Sequence, residues 1–251
     1  MNHLYLAPPI FFAIAFLFSM LGMGGSQLYI PILFWLGMDF KREAIPLGML
    51  LNVANSLSAT ITYLRKKLID LRVALPFAIT MVIFAPLGTL INLRLSTPRV
   101  ILAFAIFTGG AAILMLSGFQ PKKGEMTGRE RIALGIIAGS VLGFFAGLIG
   151  RGGGSFIVPL LSLSGLNPKS AVATSALVVT FSGSSSFISH LLTAATPRPL
   201  IWVLSLIAVI LGSQLGSRIM AHRMKPKGVR RLFGITLLGI AILLIVKDVI
   251  H

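Results

Sequence analysis

Long stretches without a single charged side chain constrain this chain more than any other feature. Residues 1–38, 44–64, 73–93, 100–121, 132–150, 152–168, 170–197 and 199–217 contain no Asp, Glu, Lys or Arg, and 232–246 adds a shorter window. About 20 consecutive apolar residues span the hydrocarbon core of a bilayer as a helix. A soluble domain needs roughly a quarter of its residues charged; here 11% are, against 56% hydrophobic. The windows are continuous rather than alternating, which argues against barrel strands. The expected fold class is therefore an all-α polytopic membrane protein.

The formal net charge of +16 would suggest nucleic acid as a partner for a soluble chain. In a membrane protein the same Lys and Arg mark the loops that stay in the cytoplasm. Of the 22 basic residues, all but Arg151 fall between the apolar windows or at their ends. The expected surroundings are thus a lipid bilayer, in the cell (inner or plasma) membrane, and no nucleic acid. Cysteine is absent, which excludes disulfides and thiolate metal sites. The N-terminus Met-Asn-His-Leu-Tyr lacks the features of a cleaved signal peptide, so the first apolar segment is expected to be retained.

The chain also repeats itself at an offset of 128 residues. Residues 21–40, LGMGGSQLYIPILFWLGMDF, lie over 149–168, IGRGGGSFIVPLLSLSGLNP, without a gap. Gly22, Gly24, Gly25, Pro31, Leu33, Gly37 and Lys41 meet Gly150, Gly152, Gly153, Pro159, Leu161, Gly165 and Lys169. The expected organisation is a first membrane repeat over 1–120, a linker over 121–128 and a second repeat over 129–251. Each repeat reads as a segment broken by glycines (4–36; 131–164) followed by three transmembrane helices (44–64, 73–93, 98–117; 170–195, 199–218, 230–247). Crowded glycines cost about 1 kcal/mol each of helix propensity, so GMGG and GRGGG predict real breaks. A broken backbone survives in a membrane only inside protein or beside a wet cavity. Gly135, Gly139, Gly143 and Gly147, spaced by four, predict close helix packing instead, and so do Gly212 and Gly216.

Parity relates the halves. If each broken segment crosses once, the basic residues of the loops divide evenly between the two sides. If each doubles back as a hairpin, the second repeat is inverted and one side collects 15 of them against 6. The positive-inside tendency favours the hairpin, with both termini outside the cytoplasm.

All six acidic residues lie in turns or near a terminus, so an intramembrane proton relay or cation site has no carboxylate. No catalytic constellation or metal-ligand cluster stands out; neither an enzyme nor a cofactor is expected. Two helix breaks would present backbone N–H groups and positive dipole ends, which suit an anion. The candidate substrate-binding residues are Gly24, Gly25, Ser26 and Gln27 at the first break and Arg151, Gly152, Gly153, Gly154 and Ser155 at the second. Asn52, Asn55 and Ser56, with Thr180 and Ser184, follow on the next helix of each repeat. Arg151 would supply a planar fork to a sulfonate or carboxylate. His190, inside an apolar window, reads as a packed histidine rather than a proton carrier.

The doubled glycine cluster, each copy followed by a proline and then a Gly and a short polar turn, resembles the TauE/SafE family of sulfite- and sulfonate-exporter-like permeases. Ser26 stands where that pattern has a third glycine. The resemblance covers nearly the whole chain and implies a secondary transporter that exports a small organic or sulfur-containing anion. An ion-coupled anion importer and a non-transporting membrane scaffold are the rival readings. Homo-oligomerisation is compatible with either.

Overall fold

The computed structural model describes residues 6–96, 98–100, 102, 103, 106, 110, 126–149, 154–192, 194–195, 199–225, 228, 235 and 239. The described residues are helical throughout their regular structure. The helices are α1 (Ala7–Leu21), α2 (Ser26–Trp35), α3 (Ile45–Arg65), α4 (Leu71–Arg94), α5 (Gly128–Ile149), α6 (Gly154–Leu163), α7 (Pro168–Leu191) and α8 (Pro199–Arg223). A π turn, Phe40–Ala44, leads into α3. Among the described residues, five helices are long and apolar enough to cross a membrane: α3 together with its π turn, α4, α5, α7 and α8. Most of the expected spans 98–117 and 230–247, and most of the linker, lie outside the described residues.

Short polar residues at the expected boundaries start several helices. Asp39 accepts from Arg42 N at 2.7 Å while Glu43 accepts from Asp39 N at 2.9 Å, a reciprocal capping box. Asn167, the repeat-mate of Asp39, caps α7 through Ser170 N at 3.0 Å. Asp70 caps α4 through Arg72 N and Val73 N. Each satisfies an orphan donor of a first turn.

Helix directions follow from contacts. Side chains of Phe11 on α1 and Tyr29 on α2 meet edge to face, with ring centroids 5.2 Å apart. A single straight crossing would separate residues 11 and 29 by about 27 Å at 1.5 Å per residue. The first broken segment therefore doubles back. Along α3, Ile30 packs at Gly48, Ser26 at Asn52 and Gly24 at Asn55, so α2 runs antiparallel to it.

The remaining helices pair by small residues. Gly135, Gly139, Gly143 and Gly147 of α5 lie against Pro76, Thr80, Met81 and Ala85 of α4, in parallel order. An added Cβ on Gly147 would stand 1.8 Å from Ala85 O, so the backbones touch there. Gly212 and Gly216 of α8 meet Phe12, Phe16 and Ser19 of α1 in the same manner. Without a hydrophobic driving force between lipid-immersed helices, such close van der Waals approach is what holds them. Polar side chains join α3 to α8: Ser213 Oγ donates to Asn55 O at 2.7 Å, Gln214 Nε2 to Ser58 O at 2.9 Å, and Ser217 Oγ to Thr62 Oγ1 at 3.1 Å. Their order makes α3 and α8 parallel. Thr60 faces Thr180, while Gly183 lies against Asn52 and Val53, so α7 opposes α3.

These directions sort the charges. Arg65, Lys66, Lys67, Arg72, Arg129, Arg131, Lys169, Arg218, Arg223 and Lys225 gather at one end of the bundle. Lys41, Arg42, Arg94 and Arg99 gather at the other. The repeat-mates Lys41 and Lys169 each cap helix-terminal carbonyls, at opposite ends. Lys41 Nζ donates to Asn92 O and Leu95 O, and Lys169 Nζ to Ala221 O at 3.1 Å. Cations suit the last turn of a helix, where carbonyls are unpaired.

Candidate functional site

The first break is a left-handed excursion. Gly24 and Gly25 adopt φ of +79° and +98°, a region that costs an L-residue about 1–2 kcal/mol. A Cβ on Gly24 would also lie 2.3 Å from Asn52 Oδ1. Breaking the helix here frees backbone groups that no water in a bilayer core would satisfy. Side chains from α3 and α7 satisfy them. Asn55 Nδ2 donates to Gly24 O at 2.7 Å, Ser175 Oγ donates to Gly22 O at 2.9 Å, and Asn52 Oδ1 accepts from Ser26 N at 3.3 Å. Tyr63 Oη donates to Ser19 O one turn before the break.

Both asparagines retain an unused polar atom. Asn52 Nδ2, Asn55 Oδ1 and Tyr29 Oη are buried without a hydrogen-bond partner. Such an atom costs about 1–3 kcal/mol, so three in one neighbourhood need a reason. They surround the break: the Tyr29 ring lies 2.7 Å from where a Gly25 Cβ would stand, and Asn52 Nδ2 packs at Gly183 with 2.8 Å to its ideal Cβ. Gly183 is the repeat-mate of Asn55. Position 183 thus leaves space where position 55, 128 residues earlier, carries an amide.

The helix after the second glycine cluster comes to the same place. A Cβ on Gly154, the first residue of α6, would lie 2.7 Å from Met23 Cα and 3.1 Å from Val179 Cγ2. The helix that starts after the second glycine cluster is therefore packed directly on the first cluster. Ser155 follows as the second residue of α6. Arg151, Gly152 and Gly153 lie outside the described residues.

Of the other expected residues, Ser56, Thr180 and Ser184 turn elsewhere, while Gln27 stays beside the break. Ser56 Oγ and Ser184 Oγ donate to carbonyls of their own helices, Asn52 O and Thr180 O, each at 2.8 Å. Thr180 Oγ1 donates to Ala176 O at 2.8 Å and faces Thr60 Oγ1 at 3.3 Å, closing the α3–α7 seam. Gln27 Nε2 approaches Met23 Sδ at 3.6 Å and is buried beside the break. His190 Nε2 lies 3.1 Å from Gly147 O. Gly147 and Ser19 are repeat-mates, so His190 does for α5 what Tyr63 does for α1. Tyr29 and Ser175 were not among the expected site residues. A tyrosine four residues after Gly25, one helical turn into α2, was the available signal for the first.

The whole arrangement is closed. Gly24, Gly25, Ser26, Gln27, Asn52 and Asn55 are all buried. Among the described residues no group of three or more His, Cys, Asp or Glu could hold a metal. What the geometry offers is a helix N-terminus, an amide donor and a phenol beside one buried break.

The family description Sulfite exporter TauE/SafE matches residues 8–244. The chain belongs to the TauE/SafE family. Among curated proteins it is similar to the Probable membrane transporter protein YunE of Bacillus subtilis, 27% identical over 92% of this chain and 93% of that protein. It is also similar to the Probable membrane transporter protein YfcA of Escherichia coli, 28% identical over 88% of this chain and 85% of that one. An archaeal relative, the Probable membrane transporter protein MJ0441 of Methanocaldococcus jannaschii, is 28% identical over 87% and 86%. No solved structure matches. This TauE/SafE chain is thus a multi-pass membrane protein of a transporter family, and its relatives are described as transporters rather than enzymes.

Proposed function

We propose that this TauE/SafE protein is a secondary anion permease that exports a small organic or sulfur-containing anion, such as a sulfonate or sulfite. The binding point lies between the two glycine breaks. The observation that carries the proposal is the seating of Gly154 on Met23 beside three buried polar atoms without partners. Asn52 Nδ2 and Tyr29 Oη would donate to substrate oxygens, with the α2 N-terminus adding its dipole. Asn55 Oδ1 would accept from a water or a substrate hydroxyl. Arg151, three residues before Gly154 in the chain, would supply the balancing charge.

The two repeats, over about 1–120 and 129–251, would be inverted relative to each other. The Phe11–Tyr29 contact and the opposed directions of α3 and α7 support this. The end holding Arg65, Lys66, Lys67, Arg218 and Arg223 would face the cytoplasm, and both termini the other side. Anion efflux from a cell with a negative interior runs downhill by about 2.3 kcal/mol per charge per 100 mV. Export then needs no proton carrier, and the seating of His190 on Gly147 O leaves it a structural task.

Purified protein titrated with sulfite, alkyl sulfonates, carboxylates and phosphate should gain thermal stability with at least one sulfur oxyanion. Asn52→Asp keeps the acceptor for Ser26 N but replaces the free donor with negative charge, and it should abolish that gain. An unchanged shift in Asn52→Asp, or no shift with any anion, would sink the proposal.

A further inference from the structure

Helix α8 carries a feature that the transport reading does not use. Its outward face is a stripe of exposed apolar side chains, Leu204, Ile207, Leu211 and Leu215, at the three- and four-residue spacing of one helical face. From Leu204 to Arg218 the helix rises about 21 Å, most of one bilayer core of about 30 Å. The stripe ends in an open groove of about 480 Å³ lined by Leu215, Arg218, Ile219, His222 and Arg223. Its lining surface is mostly apolar, and the side chains of Arg218, His222 and Arg223 are among those that line it.

The two guanidinium groups are available. Arg218 and Arg223 are exposed, and neighbouring polar groups at this end are engaged elsewhere. Asp70 caps α4, Glu130 accepts from Thr127 N at 2.7 Å, and Lys169 holds Ala221 O. His222 turns back to its own helix, with Nδ1 2.9 Å from Arg218 O. Nothing among these neutralises the arginines.

We infer that this groove is a binding site for an anionic phospholipid of the leaflet on the basic side. The phosphate would lie between Arg218 and Arg223, and an acyl chain along Leu215 and Ile219. Charge complementarity selects the occupant: arginine forks match phosphate oxygens, and basic residues at the membrane surface attract anionic lipid. A neutral lipid would cover the apolar lining and leave the two guanidinium groups unmatched. A free phosphate would do the opposite.

The test uses the full chain, delipidated in mild detergent and offered equal amounts of phosphatidylglycerol and phosphatidylcholine with identical acyl chains. Native mass spectrometry reads the lipid retained. Wild type should keep phosphatidylglycerol over phosphatidylcholine by roughly tenfold. R218Q/R223Q should lose that preference, R218K/R223K should keep most of it, and R94Q/R99Q at the opposite end should leave it intact. Millimolar inorganic phosphate should not displace the lipid. Equal retention of the two lipids by wild type, a preference surviving in R218Q/R223Q, or equal losses in R94Q/R99Q would overturn the assignment. Displacement by phosphate alone would make the groove a phosphate site and overturn it as well.

Discussion

At the scale of single residues, the polar side chains near the first break do two things with different atoms. Asn52 and Asn55 use one end of each amide to hold backbone that Gly24 and Gly25 throw out of the helix. The other ends, and Tyr29 Oη, are buried and unused. Because removing an unpaired buried hydroxyl relieves a desolvation cost, Tyr29→Phe should leave the melting temperature unchanged or slightly higher, by up to about 1 kcal/mol. Its transport rate in proteoliposomes should nevertheless fall, on the order of tenfold if one substrate hydrogen bond is lost. Wild-type transport in Tyr29→Phe would remove the phenol from the site. Arg151 stands where the first repeat has Met23. Arg151→Met should therefore fold well yet lose about 2–5 kcal/mol of anion affinity, if the charge pair is buried. Arg151→Lys, which keeps charge without the planar fork, should recover part of it. A monodisperse Met variant that transports at the wild-type rate would leave the anion to amides and hydroxyls alone.

Among elements, the glycines separate by task. Those of α5 and α8 permit contact between backbones, and those of the break permit a left-handed turn. Gly147→Leu would drive a side chain into Ala85 O and Thr89 N, so α4 and α5 should part. Overpacking of this kind costs about 1–3 kcal/mol or more, read as a lower melting temperature. Gly128, at the start of α5, has nothing within 4 Å of its ideal Cβ. Gly128→Ala should be neutral or slightly stabilising on the same measurement. A similar loss in both variants would show general intolerance of side chains on α5 rather than a packed seam.

For the molecule as a whole, the distribution of charge between the two ends decides orientation. The native chain has no cysteine, so single-cysteine labelling is clean. Lys66→Cys, at the basic end, should be shielded from an impermeant maleimide in intact cells and react after permeabilisation. Arg94→Cys, at the opposite end and exposed, should react in intact cells. The reverse pattern would invert the protein in the membrane and overturn the assignment of the basic end to the cytoplasm.

Helix class, the position of the first break and the packing glycines were legible in the sequence because each rests on a local rule. Charge-free windows meet a bilayer thickness, crowded glycines defeat a helix, and spacing by four puts small residues on one face. Repeat-mates could be paired by offset alone, and Asp39 with Asn167 indeed begin equivalent helices. Charge counting favoured a hairpin for the first segment, but it was the tertiary contact of Phe11 with Tyr29 that brought its two arms together. Tertiary structure also divided the polar residues on one helix face. Asn52 and Asn55 reach the break, whereas Ser56 returns to its own backbone and Ser58 joins α8. Hydrogen-bonding capacity is written in the side chain, but its partner is set by which helix lies within about 3 Å. That distance depends on packing between residues more than a hundred positions apart.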